Sequence, residues 1–254
     1  AAQRGTEKIT MCRPTGTALL LCCLFVFCPS VEATAASLRE FSFAASGYGG
    51  GGRFTALAID PAAPDTILVG SDVAGVFKST DGGRHFKLAG KGLEGFAVAD
   101  IAFVPDLPER VFLLSWDGLY RSTDAGEFWT KHSDAVRYRS RICGSSLITV
   151  LNRMVYVASD ENGVFQMPPG DDRATPRPVP GALPGRVACL TAAHGTLFAG
   201  TDRGVFAYRA DQWQPCSDGL PAANRRILDL AAAPGNRLFA VEETTGVHRY
   251  DART

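Results

Sequence analysis

From Phe54 onward the chain alternates short apolar runs with short polar turns. Each repeat opens on an apolar segment: Phe54–Ile59, Val98–Val104, Ser146–Val150, Val187–Thr191 and Ile227–Ala232. A turn rich in Pro, Gly, Asn or Asp follows, as at Asp60-Pro61 and Pro234-Gly-Asn236, and then a second apolar segment such as Thr66–Val69 or Arg237–Val241. A polar turn leads to a third segment that begins Gly-Val-Phe or a near equivalent. Runs of this length, rich in β-branched and aromatic residues and bounded by turn residues, predict strands rather than helices. The glycines that start the third segments, Gly75, Gly118, Gly163, Gly204 and Gly246, lie 43, 45, 41 and 42 residues apart. A period near 40–45 without helical spacing predicts an all-β propeller of four-stranded antiparallel blades. Five repeats are visible.

Two repeats carry a complete Ser-x-Asp-x-Gly turn followed by an aromatic: Ser79, Asp81, Gly83, Phe86 and Ser122, Asp124, Gly126, Trp129. The physics is local. A turn carboxylate accepts bonds from backbone N–H groups a few residues on. The glycine supplies a positive φ, and the aromatic packs under the turn. This chemistry explains Asp81 and Asp124 without a substrate. The turns resemble the Asp-box, or bacterial neuraminidase repeat, from about Gly49 to the end of the chain. The other three copies are eroded: Met167–Asp172 replaces one, Asp211-Gln-Trp213 is what remains of another, and the fifth stops at Tyr250-Asp251. In those families the box lies on the outer edge of the propeller, away from the ligand face.

The first repeat resembles the opening of xyloglucanase-like glycoside hydrolases. It has the glycine run Gly49–Gly52, an apolar strand ending at Asp60-Pro61, and Ser71-Asp-Val-Ala-Gly75. The resemblance makes Asp72 a catalytic carboxylate. Ala74 departs from that pattern, and no partner carboxylate is identified, although glycoside hydrolysis ordinarily uses two. Acids recur near the same turn, at Asp117, Asp160, Asp202 and Glu242 or Glu243, which is also what turn chemistry requires. On one propeller face they would form an acidic rim. Together with Tyr48 and Arg53 of the glycine-rich segment, and with Trp116, which sits in the acidic turn where other repeats carry Ser or Thr, they are the ligand-binding candidates. Tyr48, Trp116 and Trp213 are the aromatics suited to stacking on a sugar. A sialidase reading fails, because Arg141-Ile-Cys143 lacks the proline of that family's motif. Photosystem II stability/assembly-factor-like propellers are also similar, through the shared repeat.

Charge changes the picture little: 26 basic residues balance 26 acidic ones, which argues against a nucleic-acid surface built on net charge. His85, His132, His194 and His248 are scattered without metal-ligand spacing, so neither metal nor cofactor is expected. Residues 1–33 read as upstream residues plus a secretory signal peptide. Arg13 precedes the apolar run Ala18–Cys28, and a small-residue cleavage site follows at Val31-Glu-Ala33. That run is too short to span a bilayer, so the mature chain is expected to lack a membrane span and to be secreted or periplasmic. Residues 34–53 read as a strand, Leu38–Ala45, and a glycine-rich leading loop; residues 54–254 read as the propeller. Cys143, Cys189 and Cys216 remain after cleavage, and spacing does not choose a pair. The fifth repeat lacks a fourth strand. Either Leu38–Ala45 supplies it and closes a five-blade ring, or the repeats belong to a larger propeller. The function expected is recognition of a glycan or protein through the propeller face. The rival is a glycoside hydrolase, or an inactive remnant of one, that uses Asp72 as acid/base.

Overall fold

The computed structural model describes residues 52–139, 145–161, 163–220, 226–234 and 237–251, all within one compact unit, Ala44–Thr254. The leader, Leu38–Ala45, Tyr48 and Cys143 lie outside the described residues. Among the described residues, nineteen strands form five antiparallel sheets. The first blade holds β1 (Phe54–Ile59), β2 (Ile67–Ser71), β3 (Gly75–Ser79) and β4 (Lys87–Leu88). The second holds β5 (Val98–Phe103), β6 (Val111–Ser115), β7 (Leu119–Ser122) and β8 (Thr130–Ser133). The third holds β9 (Ile148–Leu151), β10 (Met154–Ser159), β11 (Gly163–Met167) and β12 (Arg177–Pro178). The fourth holds β13 (Val187–Ala193), β14 (Thr196–Thr201), β15 (Gly204–Arg209) and β16 (Gln212–Pro215). The fifth holds β17 (Ile227–Ala233), β18 (Arg237–Glu242) and β19 (Gly246–Asp251), three strands among the described residues. These are the blades of a five-blade β-propeller. No helix among the described residues is long and apolar enough to cross a membrane, which does not bear on membrane β-barrels.

The strands within each blade follow chain order, so every connection is a short hairpin. The first strands stand next to one another, β5 against β1 and β13 against both β9 and β17. Four of them carry a β-bulge near the start, at Phe54/Ala56, Val98/Asp100, Val187/Cys189 and Ile227/Asp229. A bulge bends the strand and raises its twist, as inner strands around an axis require. Four of the five repeat glycines take positive φ where the third strand begins, for example Gly75 at 76° and Gly246 at 92°. Gly118 meets a different requirement: a Cβ there would lie 2.6 Å from the Ser133 carbonyl oxygen.

Core packing lies between blades as well as within them. One apolar cluster joins blades one and two through Ala58, Leu68, Ile101 and Trp129. A second joins blades two to four through Leu114, Leu147, Val157 and Leu197. A third joins blades four and five through Phe198, Ile227 and Leu238. Where blade three lacks the Ser-x-Asp turn, its substitute reaches its neighbour. Arg110 Nη1 lies 2.6 Å and Arg121 Nη1 2.9 Å from Asp172 Oδ1, and Arg121 also donates to the Asp172 carbonyl at 2.7 Å.

Candidate functional site

The turn between the second and third strands has one backbone plan. The N–H groups of Asp72, Trp116, Asp202 and Glu243 donate to the carbonyls of Arg53, Ala97, Arg186 and Arg226, at 3.0, 3.1, 3.2 and 3.1 Å. Each acceptor immediately precedes the innermost strand of its blade. In three blades the turn carboxylate completes the clamp. Arg53 N–H donates to Asp72 Oδ1 at 2.8 Å, Arg139 N–H to Asp160 Oδ2 at 2.7 Å and Arg186 N–H to Asp202 Oδ1 at 3.0 Å. In blades one and four the acid therefore pins the start of the first strand to the turn, whereas Asp160 holds Arg139, well ahead of β9. The clamp also explains the last glycine of the run: a Cβ on Gly52, at φ 91°, would collide with Asp72 and Val73.

This plan corrects the alignment in blade two. Trp116, not Asp117, occupies the position of Asp72, and Ser115 occupies the Ser/Thr position. Asp117 stands one residue later and does different work. Its carboxylate accepts from Ser115 Oγ at 2.7 Å and Tyr120 Oη at 2.6 Å, and Lys131 Nζ is 3.4 Å away. Burial pushes the Asp117 carboxyl up, but the two hydroxyls and the lysine outweigh it and hold the group below the usual carboxylate range.

Blades three and four part at the rim to leave a cleft of about 410 Å³, whose walls include Asp160, Glu161, Leu183, Arg186 and Trp213. Asp160 Oδ2 is used by Arg139, whereas Asp160 Oδ1 is buried and has no hydrogen-bond partner among the described residues. Such an acceptor is costly unless something donates to it. Glu161 is paired with Arg137 at 3.2 Å. Trp213 is buried and tilted against Tyr208, with ring centroids 5.1 Å apart, so it forms wall and not an exposed platform. The cleft thus gathers Asp160, the Arg186 that Asp202 clamps, and Trp213. Asp72 with Arg53, and Trp116 with Asp117, belong to the corresponding turns of blades one and two. No group of three or more His, Cys, Asp or Glu able to hold a metal occurs among the described residues.

The two Ser-x-Asp-x-Gly turns superpose in their bonding. Ser79 Oγ donates to Asp81 Oδ1 at 2.7 Å, which also accepts from Arg84 and His85 N–H, both at 3.0 Å; Gly83 N–H donates to Ser79 Oγ at 2.9 Å. In blade two the matching distances are 2.6 Å for Ser122 to Asp124, 3.0 and 2.9 Å for Glu127 and Phe128, and 2.8 Å for Gly126. The His85 N–H and Ser79 bonds hold the Asp81 carboxyl well below the usual range. Trp129 is buried, and its Nε1–H donates to the Ala89 carbonyl of blade one at 2.8 Å. Trp129 thus packs against the preceding blade as well as under its own turn.

One functional group escaped the sequence reading. Asp100, in the inner strand β5, is buried. Its Oδ2 accepts from Leu147 N–H at 2.6 Å and Ile148 N–H at 2.8 Å, and its Oδ1 accepts from Ile101 N–H at 2.8 Å. Burial pushes this carboxyl up to about 6 in spite of those three donors, and the nearby Asp229 adds to the effect. The signal was present as an acid inside an apolar segment, repeated at Asp229 in β17.

No protein-family model matches the chain, and no curated protein matches it. Solved structures do. An ancestral GH74 enzyme aligns with TM-score 0.62 and 19% identity over 76% of this chain and 28% of its own. The extracellular domain assigned to a hybrid two-component system of B. thetaiotaomicron aligns with TM-score 0.61 and 16% identity, over 79% of this chain and 28% of its own. YCF48 from Cyanidioschyzon merolae aligns with TM-score 0.56 and 13% identity, over 82% of this chain and 69% of its own. YCF48 has also been solved bound to D1 peptide. At these identities the likeness is one of fold. The chain spans little more than a quarter of the length of the first two.

Proposed function

We propose that the chain is an extracytoplasmic recognition module, built on Asp-box turns in residues 54–254, that binds a glycan or a protein segment at the rim of the propeller. The observation that carries this reading is Asp160 Oδ1, a buried acceptor without a donor at the wall of the cleft between blades three and four. A sugar hydroxyl or a peptide N–H supplies the missing donor. The neighbours support a binding role of this kind: they include extracellular domains and a propeller that takes a peptide. The turn carboxylates are largely occupied with backbone groups, which favours a scaffold over a catalytic pair. Asp72 is the residue on which a hydrolase reading would stand.

The test is binding to a glycan array and a peptide array, followed by calorimetry on the hits with wild type and Asp160→Asn. The amide keeps an acceptor for Arg139 N–H and turns a donor towards the cleft. Losing one charge-assisted bond, about 1.5–3 kcal/mol, weakens binding about 10- to 100-fold. Equal binding by both proteins would remove the cleft from the account. Hydrolysis of β-glucans that is lost in Asp72→Asn would replace the recognition reading with an enzymatic one.

A further inference from the structure

Among the described residues, the rim cleft between blades three and four holds one buried side-chain polar atom without a hydrogen-bond partner, Asp160 Oδ1. The other oxygen of that carboxylate already accepts the Arg139 N–H. Its polar neighbours on the same wall are engaged. Ser159 Oγ donates to the Arg137 carbonyl at 3.2 Å, and the exposed Glu161 is tied to the Arg137 guanidinium. The rest of the lining is largely apolar, with Val164, Val179, Leu183 and Trp213 in it. These walls are held in place. Val179 N–H donates to the Val164 carbonyl at 2.8 Å, and Leu183 and Trp213 pack into the cluster that joins blades two to four. The segment that carries Leu183 is tied down where Arg186 N–H donates to Asp202 Oδ1.

This arrangement discriminates among donors. A sugar carries hydroxyls around its whole ring, and burying them against apolar walls is costly unless each finds a partner. A neutral N–H satisfies the oxygen but leaves its charge without a counter-ion. An arginine is suited to pairing with both oxygens of a carboxylate, and here one is taken. A lysine meets every condition. Its ammonium is a single compact charge, and its aliphatic stem lies readily along apolar surface.

We infer that the cleft takes a lysine side chain from an extended segment of a partner protein, its ammonium donating to Asp160 Oδ1 and its stem lying against the apolar walls. The inference rests on the reading of this cleft as the recognition site, and it names what that site recognises. Charge complementarity adds a preference. The Arg186 side chain is an exposed part of the lining. It favours an acidic residue beside the lysine, while solvent screens its repulsion of the ammonium.

The test is an array of short peptides with a central lysine and varied neighbours. It is printed beside the same peptides carrying Nε-acetyl-lysine or norleucine, and beside a glycan array. The full chain is expected to bind lysine peptides with acidic neighbours and to ignore both replacements. In calorimetry on the best peptide, Asp160→Asn should weaken binding about tenfold or more. Arg186→Glu should keep the demand for lysine and turn the neighbour preference from acidic to basic. That side chain is exposed and its backbone clamp is untouched, so this variant reports even if Asp160→Asn folds poorly. Peptides bound equally well with acetyl-lysine would overturn the inference and leave the cleft as a recognition site. Glycans bound through Asp160, with no lysine peptide bound, would do the same. Binding that Asp160→Asn leaves unchanged, or no binding on either array, would overturn both the inference and the reading beneath it.

Discussion

Asp100→Asn perturbs the junction of blades two and three at its most buried charge. The carboxylate reaches from β5 to the backbone at the start of β9, where Leu147 and Ile148 donate to one oxygen, while its other oxygen takes Ile101 N–H. Asparagine keeps the first oxygen and sets its amide nitrogen against Ile101 N–H. One buried donor then goes unsatisfied, at about 1–3 kcal/mol. Against this, the amide never ionises. Burial raises the wild-type carboxyl from the ordinary 3.8 to about 6. The folded state therefore binds the proton more tightly than the unfolded chain does. The stability this confers is complete below pH 3.8 and is lost as the pH rises through about 6. At 1.36 kcal/mol per pH unit the full effect is about 3 kcal/mol, of which about 2 kcal/mol develops between pH 7 and about 4.5. The assay is urea denaturation of both proteins at the two pH values. Wild type is expected to gain about 2 kcal/mol over the variant on acidification. Groups that titrate identically in both proteins cancel in that difference. Parallel pH profiles would refute the reasoning, since they would mean that the three N–H donors keep Asp100 ionised throughout.

Gly126→Ala should lower stability by about 2–4 kcal/mol in a denaturant titration, because alanine at positive φ is strained and its Cβ is crowded. The φ is 86°, and that Cβ would lie 3.0 Å from both Leu68 Cδ atoms and 3.2 Å from Trp129 Cζ2. Gly246→Ala, with φ 92° and open space around the site, should show the backbone cost alone, about 1 kcal/mol. Cys189 is buried, and burial pushes its thiol up, so mass-spectrometric mapping after brief alkylation should find it unlabelled until denaturant is added. Half-buried Cys216 should label before it.

The repeat and its strands were legible in the sequence because both are local: strand periodicity and turn residues show within a few positions. The Ser-x-Asp-x-Gly turns were legible for the same reason, since almost every bond of Asp81 and Asp124 falls within four residues. Three things were not. The register of the acidic turn misled in blade two, because Trp116 and Asp117 are adjacent and only the bond to the Ala97 carbonyl tells which one takes the clamp position. The state of Asp160 depends on a cleft between two blades, and sequence spacing does not describe a gap. Asp100 was passed over because its partners at Leu147 and Ile148 lie 47 and 48 residues away. In each case the deciding neighbour comes from another strand or another blade.

The bond from Trp129 to the Ala89 carbonyl has a thermodynamic consequence. The largest fully buried side chain of blade two is completed by the backbone of blade one, and each of the three apolar clusters likewise crosses a junction. No blade owns its core. Unfolding one blade strips the burial from its neighbour, so cooperativity passes along the array from junction to junction, as in a one-dimensional chain of coupled units. Blades two, three and four each share apolar clusters with both neighbours, so each is coupled on two sides.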